Sequence, residues 1–214
     1  MSYVQLQSIS KAYAGISYLD SISLEMERGE IVALLGPSGT GKTTLLRIIA
    51  GLEQADSGRV IIEYRDITDL APEKREIGFM FQGFALFPHL NVAGNIAFGL
   101  RLRHWPREKI KERVAELLEL VHLAGFEHRA VHTLSAGQQQ RVAFGRCLAL
   151  SPRLLLLDEP MSSLDVDTKT HLLRELRTFI QQTNLPAMYI THDPEEAKRI
   201  SDRVARLQDG RLDL

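Results

Sequence analysis

Cysteine is almost absent: Cys147 is the only one in 214 residues. A lone thiol excludes an internal disulfide framework and suits a reducing compartment. Cys147 lies in an apolar helical stretch, where a buried small hydrophobe is a simpler reading than a reactive thiol. An excess of either charge is also missing, with 26 Lys plus Arg against 27 Asp plus Glu. That balance argues against a nucleic-acid binder, which holds the phosphate backbone with a basic surplus. No apolar run approaches the ~20 residues that span a bilayer. The opening stretch, MSYVQLQSISKAY, lacks a charged start followed by an apolar core, so no secretory signal is expected. Repeats and low-complexity segments are absent too. What remains is a chain with 44% hydrophobic residues, enough for one large domain with its own core.

Against this background one segment stands out. GPSGTGKT, Gly36 to Thr43, fits the phosphate-loop pattern G-x-x-x-x-G-K-[ST]. Ile31 to Leu35 precede it as an apolar run suited to a buried parallel strand, and Thr44 to Ala50 follow as a helix. Gly36, Gly39 and Gly41 let backbone N–H groups wrap an anion, and the helix N-terminus adds partial positive charge. Lys42 supplies a point charge for phosphates, and Thr43 a hydroxyl for Mg²⁺. The bland alternative, a glycine turn with a surface lysine, does not account for the strand before it and the helix after it.

A second acidic element answers the need for a metal-orienting carboxylate. Leu154 to Leu157 bury a strand whose tip presents Asp158 and then Glu159. In phosphate-loop ATPases the first acid orients Mg²⁺, and a neighbouring acid can polarise the attacking water. Upstream, Leu134-Ser135-Ala136-Gly137-Gln138 reads as a helix N-cap able to bind another anion through the Ser135 hydroxyl and the Gly137 N–H. Spacing alone does not bring that segment to the same phosphates.

The rest of the chain supplies the frame. Tyr3 to Ile9 and Leu19 to Met26 alternate with period two around an Ala14-Gly15 turn, as antiparallel strands do. Residues 55–58 read as a turn, Arg59 to Tyr64 as a strand, and Ile77 to Phe81 as another ending at Gln82. From Pro88 to Gly145 the pattern becomes helical, with Ile110, Val114, Leu117, Leu118 and Val121 on one face of a helix over Pro106 to Val121. Its other face carries Arg107, Glu108, Lys109, Lys111, Glu112, Arg113 and Glu116, and reads as solvated. Alternation then resumes: strand, helix over Asp167 to Gln182, strand Ala187 to Thr191, helix Pro194 to Ile200, and a hairpin turning at Asp209-Gly210. This predicts an α/β fold, a phosphate-loop NTPase core with a mostly parallel sheet, an N-terminal antiparallel β subdomain and an inserted helical subdomain. Residues 1–87 and 146–214 form the core, and 88–145 the helical part. His128 and His132, four apart, could ligate a metal, though surface histidines are the simpler reading.

Together these motifs resemble the nucleotide-binding subunit of ABC transporters along the whole chain. The matched elements are Tyr13, GPSGTGKTT from Gly36 to Thr44, Gln82, LSAGQ from Leu134 to Gln138, LLLLDEP from Leu154 to Pro160, Ser163-Leu164-Asp165, and His192 in ITHD. The resemblance implies that Tyr13 stacks on adenine. It implies that Gly36, Pro37, Ser38, Gly39, Thr40, Gly41, Lys42, Thr43 and Thr44 cradle ATP. Thr43 would ligate Mg²⁺ directly and Asp158 through water, while Gln82 would contact Mg²⁺ and water and sense a transmembrane partner. Glu159 would polarise the water and His192 orient Glu159 and the γ-phosphate. Two copies would pair head to tail, with Ser135, Gly137 and Gln138 of one closing on the ATP of the other, and Asp165 would belong to the nucleotide-binding set. Ala136 departs from the Gly that the family most often has there.

Residues 78–100 are similar to the bacterial importer branch handling sulfate, molybdate, iron, polyamines and maltose. That implies transmembrane permease subunits, a substrate-binding protein, a place on the cytoplasmic face of the inner membrane, and no nucleic acid. Phe84, Leu86, Phe87 and Leu90 would line a groove for a permease helix, or else belong to the helical core. The C-terminal regulatory domain of many such proteins is not among these 214 residues. A non-transport ABC ATPase acting on nucleic acid or ribosomes, and a phosphate-loop kinase, are the competing readings. The kinase reading leaves LSAGQ and His192 unexplained.

Overall fold

Apolar runs too short for helices and closed by glycine or acid have one stable place, the middle of a sheet covered on both faces. The computed structural model, which describes residues 2–162 and 166–213, puts them there. In chain order the elements are β1 (Val4–Tyr13), β2 (Ile16–Met26), β3 (Ile31–Leu35), α1 (Lys42–Ala50), β4 (Ser57–Ile62), β5 (Arg65–Asp66), β6 (Ile77–Met80), α2 (Val92–Leu102), α3 (Arg107–Leu120), α4 (Ala136–Leu148), β7 (Leu154–Asp158), α5 (Val166–Thr183), β8 (Ala187–Thr191), α6 (Pro194–Ile200), β9 (Arg203–Gln208) and β10 (Arg211–Asp213).

Two sheets result. The six-stranded one runs β10-β9-β3-β8-β7-β6, parallel except for the β9–β10 hairpin at its edge. The four-stranded one, β2-β1-β4-β5, is antiparallel. The α/β expectation is met, including the antiparallel N-terminal sheet. Every residue of β3, β7 and β8 is buried, and period two sorts the side chains into two cores. Leu155, Leu157, Ala187 and Tyr189 face the core shared with α2 to α5. Leu154, Leu156, Met188 and Ile190 face the core shared with α1 and the antiparallel sheet.

Local chemistry explains the helices. Asn91 caps α2 by accepting from Gly94 N. In α3, Val114, Leu117 and Leu118 are buried as the periodicity predicts, as is Val121 at its C-cap, while Ile110 is only half-buried. Gly145 lies inside α4, where glycine costs about 1 kcal/mol relative to alanine. A Cβ there would stand 3.3 Å from Ile96 Cδ1, so the bare backbone is what allows α4 to close on α2.

Several expectations shift. The 55–58 turn gives way to strand already at Ser57, and the strand ends at Ile62, because Glu63 and Tyr64 take positive φ and turn the chain. Helix α1 begins at Lys42, two residues early, and β6 stops at Met80 rather than Phe81. Arg113 is not simply solvated: its guanidinium donates to Leu148 O at 2.9 Å and Ala149 O at 3.3 Å, capping the end of α4. Phe84 is core, whereas Phe87 is half-buried against Phe98, 4.3 Å between ring centroids.

Candidate nucleotide-binding and hydrolysis site

Parallel strands in register deliver their following residues to one edge. Leu35 pairs with Thr191, Ile190 with Asp158, and Leu157 with Met80. The residues just beyond these ends are Gly36, His192, Glu159 and, after one more, Gln82. Neighbouring strands therefore converge four segments that are far apart in sequence.

The phosphate loop is built by backbone demands. Gly39 and Gly41 have φ of 82° and 97°, a region that side chains disfavour. At Gly36 any Cβ would stand 2.4 Å from Leu207 O, so the loop's entry also tolerates only glycine. Lys42 is buried, and its ammonium donates to Gly36 O at 2.8 Å and Pro37 O at 2.6 Å. Burial pulls its pKa below the usual lysine range, while the negative charges of Glu159 and Asp158 oppose that pull. The Thr40 hydroxyl donates to Pro37 O at 3.0 Å and braces the same turn. Ser38 and Thr44 sit in the loop and the first turn of α1.

Thr43 Oγ1 donates to Asp158 Oδ1 at 3.1 Å. Asp158 is buried, and that burial raises its carboxyl above the usual carboxylate range, with the Thr43 hydrogen bond pulling the other way. A hydroxyl and a buried carboxylate side by side are hard oxygen donors suited to Mg²⁺. Glu159 follows with φ 43°, left-handed for a non-glycine residue, at the point where the strand gives way to a turn. Its Oε1 lies 3.5 Å from His192 Nδ1.

Other expected residues are placed less directly. The Tyr13 hydroxyl donates to Glu53, its ring meets Tyr18 edge-on at 5.1 Å, and Lys11 Nζ lies 5.4 Å from its centroid. The Tyr18 carbonyl is also the atom that a Cβ on Gly41 would meet at 3.0 Å, so this tyrosine pair borders the phosphate loop. Gln82 is exposed and pairs with Ser162, Nε2 to Oγ at 3.5 Å, rather than with Thr43 or Asp158. Asp165 lies outside the described residues, together with Ser163 and Leu164. No group of three or more metal-binding side chains occurs among the described residues, so His128 and His132 gather no further ligands.

Ser135 caps α4 as its sequence predicts. Gln138 N donates to Ser135 Oγ at 3.3 Å, and Ser135 N donates to Gln138 Oε1 at 3.1 Å. The Gln138 side chain is thus part of a reciprocal capping box. Among the described residues the Ala136 and Gly137 N–H groups have no partner, and they point from a helix N-terminus as anion donors do. Ala136 is exposed.

The sequence pattern that defines the ABC transporter family matches residues 19–162. This chain belongs to that family. Among ABC relatives, the sulfate/thiosulfate import ATP-binding protein CysA of Xanthomonas campestris pv. campestris is 49% identical over 214 residues, covering 98% of this chain and 62% of the relative. The Fe(3+) ions import ATP-binding protein FbpC of Photorhabdus laumondii subsp. laumondii is 43% identical over 211 residues, 99% of this chain and 60% of the relative. The chain thus spans about three-fifths of the length of these ABC proteins. A solved dimer of the ATP-binding cassette MJ0796 in a post-hydrolysis state, bound to ADP and Pi, superposes with a TM-score of 0.83 at 32% identity, covering 99% of this chain and 97% of that one.

Three contributors carried no sequence signal. Glu53 orients Tyr13 from 40 residues away, Ser162 holds Gln82 from 80 away, and the buried Gln140 amide reaches Met161 Sδ at 3.1 Å. Only folding brings each pair together.

Proposed function

We propose that this chain binds and hydrolyses ATP to drive import by an ABC transporter. The observation that carries this reading is the convergence of Lys42, the Thr43–Asp158 pair and the Glu159–His192 pair at one sheet edge. Tyr13 stacks on adenine. The amides of residues 39–44 and the Lys42 ammonium hold the phosphates, where fixed donors facing charge act at full strength. Thr43 directly, Asp158 through water, and Gln82 would hold Mg²⁺, which would supply neutralisation of the phosphate charge. Glu159 takes up the water's proton, and His192 keeps the Glu159 carboxylate turned toward the γ-phosphate.

Two copies pair head to tail. Ser135, the Gly137 N–H and Gln138 of one copy face the ATP held by the other, and Asp165 belongs to the nucleotide-binding set. Residues 1–87 and 146–214 act as the nucleotide core, and 88–145 as an inserted helical lobe. The partners are transmembrane permease subunits with a substrate-binding protein, at the cytoplasmic face of the inner membrane; no helix among the described residues is itself long and apolar enough to cross one. ATP favours the closed pair and its products the open one, and that difference drives the permease.

The deciding experiment is Glu159→Gln. It should bind Mg·ATP and dimerise while turnover falls about 10²–10⁴-fold, the range for loss of a general base. Turnover equal to wild type would remove Glu159 from that role.

A further inference from the structure

Behind the His192 loop lies a polar cluster that the hydrolytic machinery above does not use. Glu196 is only 4% exposed, and Tyr189 and Thr191 are buried with it. Thr191 Oγ1 donates to Glu196 Oε2 at 3.0 Å, and the Tyr189 hydroxyl donates to Glu196 Oε1. Lys169 Nζ, from the first turn of α5, lies 2.6 Å from Glu196 Oε2 and 3.4 Å from Asp193 Oδ2. Burial works against the Lys169 charge, yet the hydrogen bond and charge of Glu196, with those of Asp193, hold the ammonium above its ordinary range. Burial and the Glu196 charge keep the Tyr189 phenol protonated, so it acts as a donor.

The cluster grips the chain on both sides of His192. Before it, Thr191 is bound to Glu196. After it, Asp193 N donates to Thr191 Oγ1 at 3.1 Å, and Asp193 Oδ1 accepts from Glu195 N at 2.9 Å and Glu196 N at 3.4 Å. Asp193 also pairs with Lys169, so α5 and α6 clamp the same segment from Thr191 to Asp193. A buried ion pair is weak evidence for stability, because apolar residues of the same volume serve a core as well. Directional bonds to both neighbours of one histidine confer something apolar packing cannot: a fixed backbone direction.

We infer that Glu196 and Lys169 are positioning residues for hydrolysis. They hold Thr191 and Asp193 so that His192 Nδ1 stays near Glu159 Oε1, a separation of 3.5 Å. The inference rests on the hydrolytic reading above. It adds two side chains remote from the phosphate loop to the set that governs turnover.

Steady-state phosphate release from Mg·ATP tests it in four proteins: wild type, Glu196→Gln, His192→Ala and the double variant. Glu196→Gln should lower kcat about 10-fold or more with KM nearly unchanged, as for an interaction that acts only in the transition state. In the His192→Ala background the same change should cost less than about 2-fold, because residues acting through one group are not additive. Equal losses in both backgrounds, or a wild-type kcat in Glu196→Gln, would overturn the inference. Lys169→Met provides the same cycle if Glu196→Gln does not fold, and must likewise lose its effect when His192 is gone. Absence of turnover by wild type itself would instead strike down the hydrolytic reading.

Discussion

The Thr43 hydroxyl and the Asp158 carboxylate meet at 3.1 Å although 115 positions separate them in the chain. One stands at the start of α1 and the other at the end of β7. The strand β3, which leads into α1, and β7 flank β8 in one parallel sheet, which brings these ends together, and the pair then carries a cost that can be measured.

Asp158→Asn should stabilise the nucleotide-free chain. The folded carboxyl titrates above its ordinary value of 3.8 because it is buried. Protonation therefore favours the fold: this contribution is full below that ordinary value and is lost as pH rises through the elevated one. At pH 7 the charge is a penalty that asparagine lacks, worth about 1 kcal/mol or a rise of ~2–4 °C in Tm. Thermal unfolding at pH 7 should show the gain, and the gap should narrow on acidification. Mg·ATP should reverse the order by stabilising wild type alone. A variant melting below wild type without nucleotide would contradict this account.

Ser135 should have two separable roles. Ser135→Ala removes the oxygen that accepts from Gln138 N and should cost about 1 kcal/mol of stability, the usual worth of an N-cap. ATP binding to a single copy should be untouched, because Ser135 faces the other copy's nucleotide in the proposed pair. ATP-driven dimers of Glu159→Gln, followed by size-exclusion chromatography, should disappear when Ser135→Ala is added. Loss of ATP affinity in the monomer would instead place Ser135 at its own chain's phosphates.

Cys147 should behave as a hydrophobe. It is buried with Sγ 3.2 Å from Phe79 O, and burial pushes its thiol up to about 12. At pH 8 the reactive thiolate is then only ~10⁻⁴ of the native population, since thiolate is the nucleophile. Iodoacetamide should modify the denatured chain within minutes and the native one hardly at all. Because the ordinary thiol value is 9.0, this group's contribution to stability should persist below pH 9 and decline as pH rises toward 12. Rapid native labelling would show that α4 does not seal this site.

The chain's own letters determined whatever a few adjacent residues can enforce. Glycine at Gly36, Gly39 and Gly41 is dictated by close backbone approach or positive φ, so the phosphate loop was readable. The same holds for Ser135 with Gln138, a cap closed within one turn, and for the period-two burial of β7 and β8. Folding alone decided the rest. Strand order set which ends became neighbours, and thereby brought His192 to Glu159 and Thr43 to Asp158. It turned Arg113 from a surface charge into a helix cap, and made Glu196 the hub behind His192 rather than one more acid in a helix's first turn. The reason is physical: local backbone preferences act over a few residues, whereas the desolvation that gives a buried charge its meaning depends on partners that sequence distance does not reveal.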